Sequence, residues 1–519
     1  MDNLRQYHVI FFTSPISLAR GDNNCSFWFP ETPQLNFGTR QIMHRIRDQL
    51  EMCRRTHPKC RVDAPKSLAA PKRLLKLDVN EQRCYVIRTW GRGQLQYAAL
   101  SYCWGTSQSM LTTSTLAELE AGVHPSYFSR AIQDAIKVVA SLGFQHLWVD
   151  AVCILQDDYK DLAEEIQKMG DIYHGASFTI AASNSATSRE GFLSGQPLDA
   201  YPLDVRDENN SRTTIMMIPD PFLKQPIHPL HTRGWTLQEA YFSRRYLHFG
   251  LYSVTMVCAS ASVDFTGFGL KIDSIFRWRH ARSWDVVIEK YSLRRLTVPS
   301  DKLVAISALA KDFANAFRNP QPQSYLAGIW RQYLPRALLW EMVDPPQARP
   351  AYRAPSWSWA SVEGRVRPGG TSDYPSMLGY KTNDLVVLEA ETFRDASAGP
   401  FSSVTGGFLV VRGGIGAISD YHVTSDHSIE FLGISGRLDA LEPDVSRPRR
   451  QRPAIWLLEC RESSGEEPCG RFLEDTQFYG YCFGLILLKT PDGQSFRRIG
   501  SFSFGTGRHV LGAVEPDLG

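Results

Sequence analysis

The most informative stretch of this sequence is Leu147-Trp148-Val149-Asp150-Ala151-Val152-Cys153-Ile154-Leu155-Gln156-Asp157-Asp158. Its apolar residues lead up to Asp150, continue through Cys153 and stop at a polar end. Such a pattern predicts a buried strand over 147–152 followed by a loop. Ligands of open α/β sheets bind at the carboxyl ends of the strands. We therefore expect Asp150, Cys153 and residues 156–158 to border a site.

Strand-like and helical patterns alternate on both sides of this stretch. Helical segments are recognised by apolar residues at steps of three and four, and strands by short apolar runs with turn residues such as Gly105 behind them. The resulting β-α-β-α-β order predicts an α/β fold with a doubly wound parallel sheet. The five segments are the strand 97–105, the helix 127–142, the strand 147–152, the helix 159–173 and the strand 177–182.

The flanking segments predict further elements. Residues 74–79 and 84–88 are strand-like runs joined by a short polar link, which predicts a hairpin. Short apolar runs dominate beyond residue 378, whereas the pattern over residues 272–341 is mostly helical. The candidate helices there are 284–293, 301–316 and 325–341. The predicted domains are 1–90, an N-terminal extension with the hairpin; 91–255, the α/β core; 256–345, a helical region; and 346–519, a β-rich C-terminal domain.

The composition is that of an ordinary globular protein. Of the 519 residues 43% are hydrophobic, and 57 basic against 54 acidic residues give a net charge of +3. So small a charge gives no reason to expect a nucleic-acid partner. The sequence shows no signal-peptide layout and no apolar stretch long enough to span a bilayer. We expect a cytoplasmic protein whose ten scattered cysteines include several buried free thiols.

Three potential zinc ligands, Cys53, His57 and Cys60, lie close together in the sequence. A structural zinc site needs four ligands, and no second Cys/His pair follows nearby. The sequence therefore favours a packed turn without metal. Neither a metal nor a permanently bound cofactor is expected.

Five blocks of this chain resemble the motifs of fungal heterokaryon-incompatibility (HET) domains. Two departures are mild, since Cys103 replaces a commoner small apolar residue and Leu155 stands where Ile or Asn is frequent. The resemblance implies a flavodoxin-like parallel sheet similar to that of TIR domains, and a role in cell death when genetically unlike hyphae fuse. The blocks are the ALSYxWG-type strand at 97–105, the LWVDxxCIxQDD block at 147–158, the E…M…IY…A helix at 165–176, the RGWTLQE block at 233–239 and the APSWSWA segment at 354–360.

The resemblance also implies which residues act. Some TIR domains hydrolyse NAD with a catalytic Glu on a helix beside the ligand edge of the sheet, which implies Glu165 here, with Asp150 or Asp158 as alternatives. A carboxylate in that place would stabilise the positive charge that develops on the ribose carbon. The residues expected to bind the ligand are Ser101, Trp104, Gly105, Cys153, Gln156, Arg233, Trp235 and Glu239.

Structural roles compete with these functional ones. Glu165 is alternatively a solvated residue or a partner of Arg233, Asp150 a cap of the following loop, and Arg233 the ion-pair partner of Glu239. Three functions stay open: an NAD-cleaving hydrolase linked to cell death, a HET-type pocket recruited to fungal secondary-metabolite synthesis, and a non-enzymatic self-assembling signalling module. The expected partners are a small-molecule substrate, a second copy of this chain or another incompatibility protein.

Overall fold

The computed structural model divides the chain into two compact units, Met1–His280 and Ala281–Gly519. The finer division into four domains stays a prediction. Among the described residues, no helix combines the length and the apolar character needed to cross a bilayer. The structure describes residues 9–13, 35–61, 70–92, 95–105, 108–195, 201–206, 212–219, 228–266, 283–316, 324–368, 381–382, 385–396, 398–431, 434–463 and 481–505.

The first unit combines helices with two β-sheets. Its strands are β1 (Val9–Thr13), β2 (Arg73–Asp78), β3 (Arg83–Arg88), β4 (Ala98–Ser101), β5 (His146–Trp148), β6 (Phe178–Ala182), β7 (Tyr201–Arg206), β8 (Arg212–Pro219), β9 (Arg245–Phe249), β10 (Val254–Cys258) and β11 (Ser262–Asp264). Its helices are α1 (Arg40–Thr56), α2 (Pro58–Arg61), α3 (Leu116–Ala121), α4 (Arg130–Ser141), α5 (Asp150–Cys153), α6 (Tyr159–Gly175) and α7 (Thr236–Phe242).

The main sheet of this unit has the strand order β11-β10-β9-β6-β4-β5-β2-β3. The four central strands β5, β4, β6 and β9 are parallel to one another. Hairpins add antiparallel strands at both edges, β2 and β3 on one side and β10 and β11 on the other. The predicted α/β class and the β2–β3 hairpin are confirmed, but the sheet is mixed rather than wholly parallel.

The side chains of β4 alternate between two cores, one on each face of the sheet. Ala98 and Leu100 belong to the core that buries α4, whereas Ala99 packs in the core that buries the apolar stripe of α6. Successive side chains of a strand point to opposite faces, so a central strand covered on both sides contains no polar alternation. All four residues of β4 and all five of β6 are buried for this reason.

The predicted strand 147–152 is wrong in its second half. β5 ends at Trp148, and the backbone then turns into the short helix α5, in which Cys153 donates its N–H to the carbonyl oxygen of Val149 at 2.8 Å. Asp150 supports the turn by accepting the N–H of Ala151 at 2.7 Å. The run is apolar because this helical turn is itself buried, which hydrophobicity alone does not distinguish from a strand.

The outer edge of the sheet is covered near both ends of β3. Cys84 and Val123 exchange two backbone hydrogen bonds of 2.8 and 2.9 Å. Toward the other end, Arg88 Nε donates to Glu120 Oε1 at 3.1 Å. Helix α3 and the residues that follow it therefore occupy the exposed side of this strand.

The second unit is mainly β, as predicted for the region beyond residue 378. The helices of this unit are α8 (Trp284–Ser292) and α9 (Ser307–Ala316). The strands of this unit are β12 (Tyr325–Leu326), β13 (Ile329–Trp330), β14 (Glu341–Met342), β15 (Val366–Arg367), β16 (Lys381–Thr382), β17 (Val386–Phe393), β18 (Gly406–Arg412), β19 (Ile415–Ile418), β20 (His422–Val423), β21 (Ser428–Phe431), β22 (Ile434–Leu438), β23 (Ile455–Ser463), β24 (Tyr481–Lys489) and β25 (Phe496–Gly505). An antiparallel sheet has the order β16-β23-β24-β25-β22-β21-β20, and β19 also pairs with β23.

The predicted helix over 325–341 is wrong. Ala327 and Gly328 have φ angles of +48° and +96°, which close the hairpin between β12 and β13 instead. The carbonyl oxygen of Gly328 accepts hydrogen bonds from the indole N–H groups of Trp284 (2.7 Å) and Trp359 (2.9 Å). The apolar residues of this segment are thus held by aromatic packing in the core, which overrides their helical spacing.

Candidate functional site

The polar residues that follow the central strands converge on one cluster. Ser101 ends β4, and its Oγ donates a hydrogen bond to Glu239 Oε2 of α7 at 2.5 Å. The Tyr173 hydroxyl donates to the carbonyl oxygen of Leu100 at 3.1 Å and also interacts with the Glu239 carboxyl group. Ser101, Tyr173 and Glu239 are all buried. The end of β4 therefore brings together two hydroxyl groups and one carboxyl group.

Asp150 lies at the carboxyl end of the neighbouring strand β5. Its Oδ2 accepts the indole N–H of Trp104 at 2.8 Å, while Oδ1 is held by the backbone of Ala151. Gly105, next to Trp104, has a φ of +73°, and a Cβ there would lie 3.0 Å from the Cβ of Thr187. Glycine thus permits the tight turn that directs the Trp104 indole toward Asp150.

The pKa values of the two carboxyl groups are both raised. Burial raises the pKa of Asp150 to about 6, although the hydrogen bonds from Trp104 and Ala151 and the charge of Arg233 lower it. Burial and the charge of Asp150 raise the pKa of Glu239 to about 7, against the opposing effects of Ser101, Arg233 and Tyr173. A carboxyl group whose pKa lies near neutral pH is suited to acid–base chemistry.

Arg233 and Trp235 lie just before α7. The Thr236 hydroxyl donates to the carbonyl oxygen of Leu230 at 2.7 Å, which fixes the turn that carries both residues. The positive charge of Arg233 acts on Asp150 and Glu239, so it balances the carboxyl pair. Trp235 packs against the core on the α6 side of the sheet.

Glu165 belongs to a separate cluster between α6 and the start of β2. It is fully buried, its Oε2 accepts the backbone N–H of Lys72 at 3.1 Å, and its Oε1 pairs with Lys168 Nζ at 3.1 Å. Next to it, Arg73 forms a bidentate pair with Asp161 at 2.8 and 2.9 Å. Both Glu165 oxygens are thus engaged, Oε2 with the residue that precedes β2 and Oε1 with a lysine of α6 itself.

The remaining predicted residues make local structural contacts. Asp158 caps α6 by accepting the N–H groups of Lys160 and Asp161. The Gln156 amide donates to the carbonyl oxygens of Asp150 and Ile154, both at 3.1 Å. Burial raises the pKa of Cys153 to about 12, which leaves this thiol without the thiolate character that a nucleophile needs.

A buried histidine extends the row that begins at Ser101. The sheet register aligns Ser101 with Ala181 and Ala181 with His248, so the three side chains lie on the same face of the sheet. Two strand spacings, about 10 Å, separate Ser101 from His248. The His248 ring lies 4.8 Å from that of His228, and burial holds its pKa well below the ordinary value. Neither His248 nor Tyr173 is among the residues that the sequence predicts for the site. Their places on a strand end and on the apolar stripe of α6 were the available signals.

Comparison with known proteins gives a match to one protein family. No curated protein and no solved structure shows significant similarity to the chain. The profile described as "Heterokaryon incompatibility protein (HET)" matches residues 97–239, from the residue before β4 to the middle of α7. The match begins and ends at the segments that carry Ser101 and Glu239. This chain therefore contains a heterokaryon incompatibility (HET) domain, over residues 97–239.

Proposed function

We propose that the HET domain of this chain cleaves the bond between nicotinamide and ribose in NAD, as part of an incompatibility response that ends in cell death. The observation that supports this proposal is the pair of neighbouring carboxyl groups, of partly buried Asp150 and buried Glu239, at the carboxyl ends of the parallel strands. The order β5-β4-β6-β9 corresponds to 2-1-3-4 in chain order. Flavodoxin-like sheets share this order and bind ligands between strands 1 and 3. TIR domains, which the sequence motifs suggest as relatives, have such a sheet.

Three members of the cluster have a task in this reaction. The C–N bond breaks with its electron pair moving to the nicotinamide nitrogen, and the oxygen of a water forms the new bond to the ribose carbon. Ionised Asp150 stabilises the positive charge on that carbon. Glu239 accepts the proton of the water, for which a pKa near 7 is suitable. Arg233 offers a planar, charged fork for a substrate phosphate.

Under this proposal Glu165 supports the fold, and the catalytic role moves to Glu239 and Asp150. Loss of a positioned general base lowers turnover by about 10²–10⁴-fold. We expect Glu239→Gln to lose NAD cleavage to that extent, and Asp150→Asn, which removes the stabilising charge, to lose about 10²–10³-fold, while both stay folded. Glu165→Gln should lower stability and leave the turnover of the folded fraction within a few-fold of wild type.

The experiment measures nicotinamide release from NAD by the purified full chain, with and without forced oligomerisation. Circular dichroism checks that each variant is folded. A wild-type protein that releases no nicotinamide at high concentration contradicts the proposal. Cleavage that survives Glu239→Gln but disappears in folded Glu165→Gln returns the catalytic role to Glu165. Glu239-dependent turnover of a compound from a metabolite pool, without NAD loss, identifies a recruited biosynthetic enzyme instead.

A non-enzymatic self-assembling module is the second candidate. The observation in its favour is Trp90, which follows β3 and is 94% exposed, since tryptophan is enriched in the interfaces between proteins. We expect Trp90→Ser to reduce any concentration-dependent increase in mass seen by light scattering. Equal masses for wild type and variant at all concentrations contradict this role.

A further inference from the structure

Four potential metal ligands from three segments meet at the β10 side of the first unit. Cys53 lies in the last turn of α1, His57 follows that helix, Cys60 lies in α2, and Cys258 is the last residue of β10. Their ligand atoms all lie within 4.8 Å of one another. The three thiols are buried and His57 is partly buried. We propose that these four residues bind a structural zinc ion, a role independent of the proposed catalytic cluster.

The spacing of the ligand atoms agrees with tetrahedral coordination. Zinc–sulfur and zinc–nitrogen distances of about 2.3 and 2.0 Å place two sulfurs about 3.8 Å apart, and a sulfur and a nitrogen about 3.5 Å apart. His57 Nδ1 lies 3.4 Å from Cys258 Sγ. Three cysteines and one histidine form a closed ligand set, which is characteristic of structural rather than catalytic zinc.

Local backbone contacts hold the ligands in place. The His57 N–H donates to the carbonyl oxygen of Cys53 at 3.3 Å, and the Cys60 N–H donates to that of His57 at 3.0 Å. Cys258 closes the β10–β11 turn by donating its N–H to the carbonyl oxygen of Ala261 at 2.9 Å. The fourth ligand is thus about 200 residues away in the sequence, and this distance explains why the sequence favoured a metal-free turn.

The surroundings of the sulfurs suit thiolates. Arg245 Nε donates to Cys53 Sγ at 3.3 Å, and the Ser260 N–H donates to Cys258 Sγ at 3.5 Å. Such outer hydrogen bonds orient metal ligands and stabilise their charge. A divalent ion with three thiolates has a net charge of −1, which the guanidinium of Arg245 offsets. Arg245 is buried, and within the described residues it has no carboxylate partner.

A zinc ion here would tie the N-terminal helices to the sheet. α1 buries Ile42, Ile46 and Leu50 in the core on the α4 side, and Cys53 continues that buried face to the metal ligands. Because coordination joins α1, α2 and the β10–β11 turn, removal of the metal should loosen these segments first.

The test measures zinc by mass spectrometry in the full chain purified under reducing conditions. After zinc is removed with a mercurial reagent, cobalt(II) is added as a spectroscopic probe. We expect one zinc ion per chain, and a cobalt spectrum with the thiolate charge-transfer and intense visible bands of a tetrahedral site. Cys60→Ala and Cys258→Ala should lose the metal. The matched control is Cys84→Ala, which removes a buried thiol outside the cluster and should keep it.

Measurements on the wild-type chain test the zinc proposal even where a variant of a metal ligand fails to fold. A folded wild-type chain with neither zinc nor a tetrahedral cobalt spectrum overturns the proposal. A disulfide between any two of the three cysteines, found by peptide mass analysis of the freshly purified protein, also overturns the proposal. Loss of zinc from Cys84→Ala to the same extent as from Cys60→Ala would show that the metal binds elsewhere.

Discussion

Replacement of Glu239 by Gln should change the pH dependence of stability in the first unit. The folded chain keeps the Glu239 proton up to a pH near 7 because burial and Asp150 raise its pKa, whereas the ordinary value is 4.5. The unfolded chain therefore releases this proton first, and wild-type stability falls as the pH rises from about 4.5 to about 7. At about 1.4 kcal/mol for each pH unit, the fall is on the order of 3 kcal/mol.

Gln has no titratable proton in this pH range, so the variant lacks this fall in stability. The free energy of unfolding of Glu239→Gln minus that of wild type should increase by on the order of 3 kcal/mol between pH 4.5 and pH 8. Hydrogen exchange of peptides that cover β4 and β6, at matched pH, measures the opening of this unit separately from the other. Glu51→Gln on the exposed face of α1 is the control, and its difference from wild type should stay flat. A flat difference for Glu239→Gln would refute a raised Glu239 pKa.

Two further substitutions test the packing of each unit. Asp161→Asn breaks the buried pair with Arg73 and should cost about 3–5 kcal/mol at neutral pH. Burial opposes ionisation of Asp161, but Arg73, Lys72 and a backbone N–H hold its pKa below the ordinary 3.8, so the wild type should lose this stabilisation only in strong acid. Equal urea midpoints at pH 7 would contradict the first expectation. Gly328→Ala places a Cβ 2.8 Å from the Trp359 indole at a φ of +96°, and the thermal midpoint of the second unit should fall by several degrees. An unchanged midpoint would show that this turn relaxes freely.

Much of the α/β core could be predicted because burial on two faces leaves a clear pattern. Ala98, Ala99 and Leu100 show no polar alternation because helices pack on both faces of β4. The apolar stripes of α4 and α6 form these two contacts. The motif residues Ser101, Trp104, Asp150, Arg233 and Glu239 are brought into one cluster because each follows or faces a central strand. Their chemical roles stay predictions.

The features that the sequence did not predict depend on information that a local pattern of residues does not contain. Hydrophobicity marks Ala151 to Cys153 as buried but does not separate a buried helical turn from a strand. The helix predicted over 325–341 failed because a positive φ at Gly328 and aromatic packing override helical spacing. The proximity of Cys258 to Cys53 depends on the pairing of β9 with β10, which no spacing along the chain encodes.

The cover over β3 limits how copies of this chain can associate. An uncovered edge strand offers free N–H and C=O groups to the edge of another sheet, and assemblies can grow by adding strand to strand. Here the backbone groups of Cys84 are already paired with Val123, and Arg88 is paired with Glu120. Addition of a strand at this edge would first have to displace α3 and the residues that follow it in the chain. Any self-association of the folded first unit through this side is therefore expected to use side-chain surfaces such as Trp90.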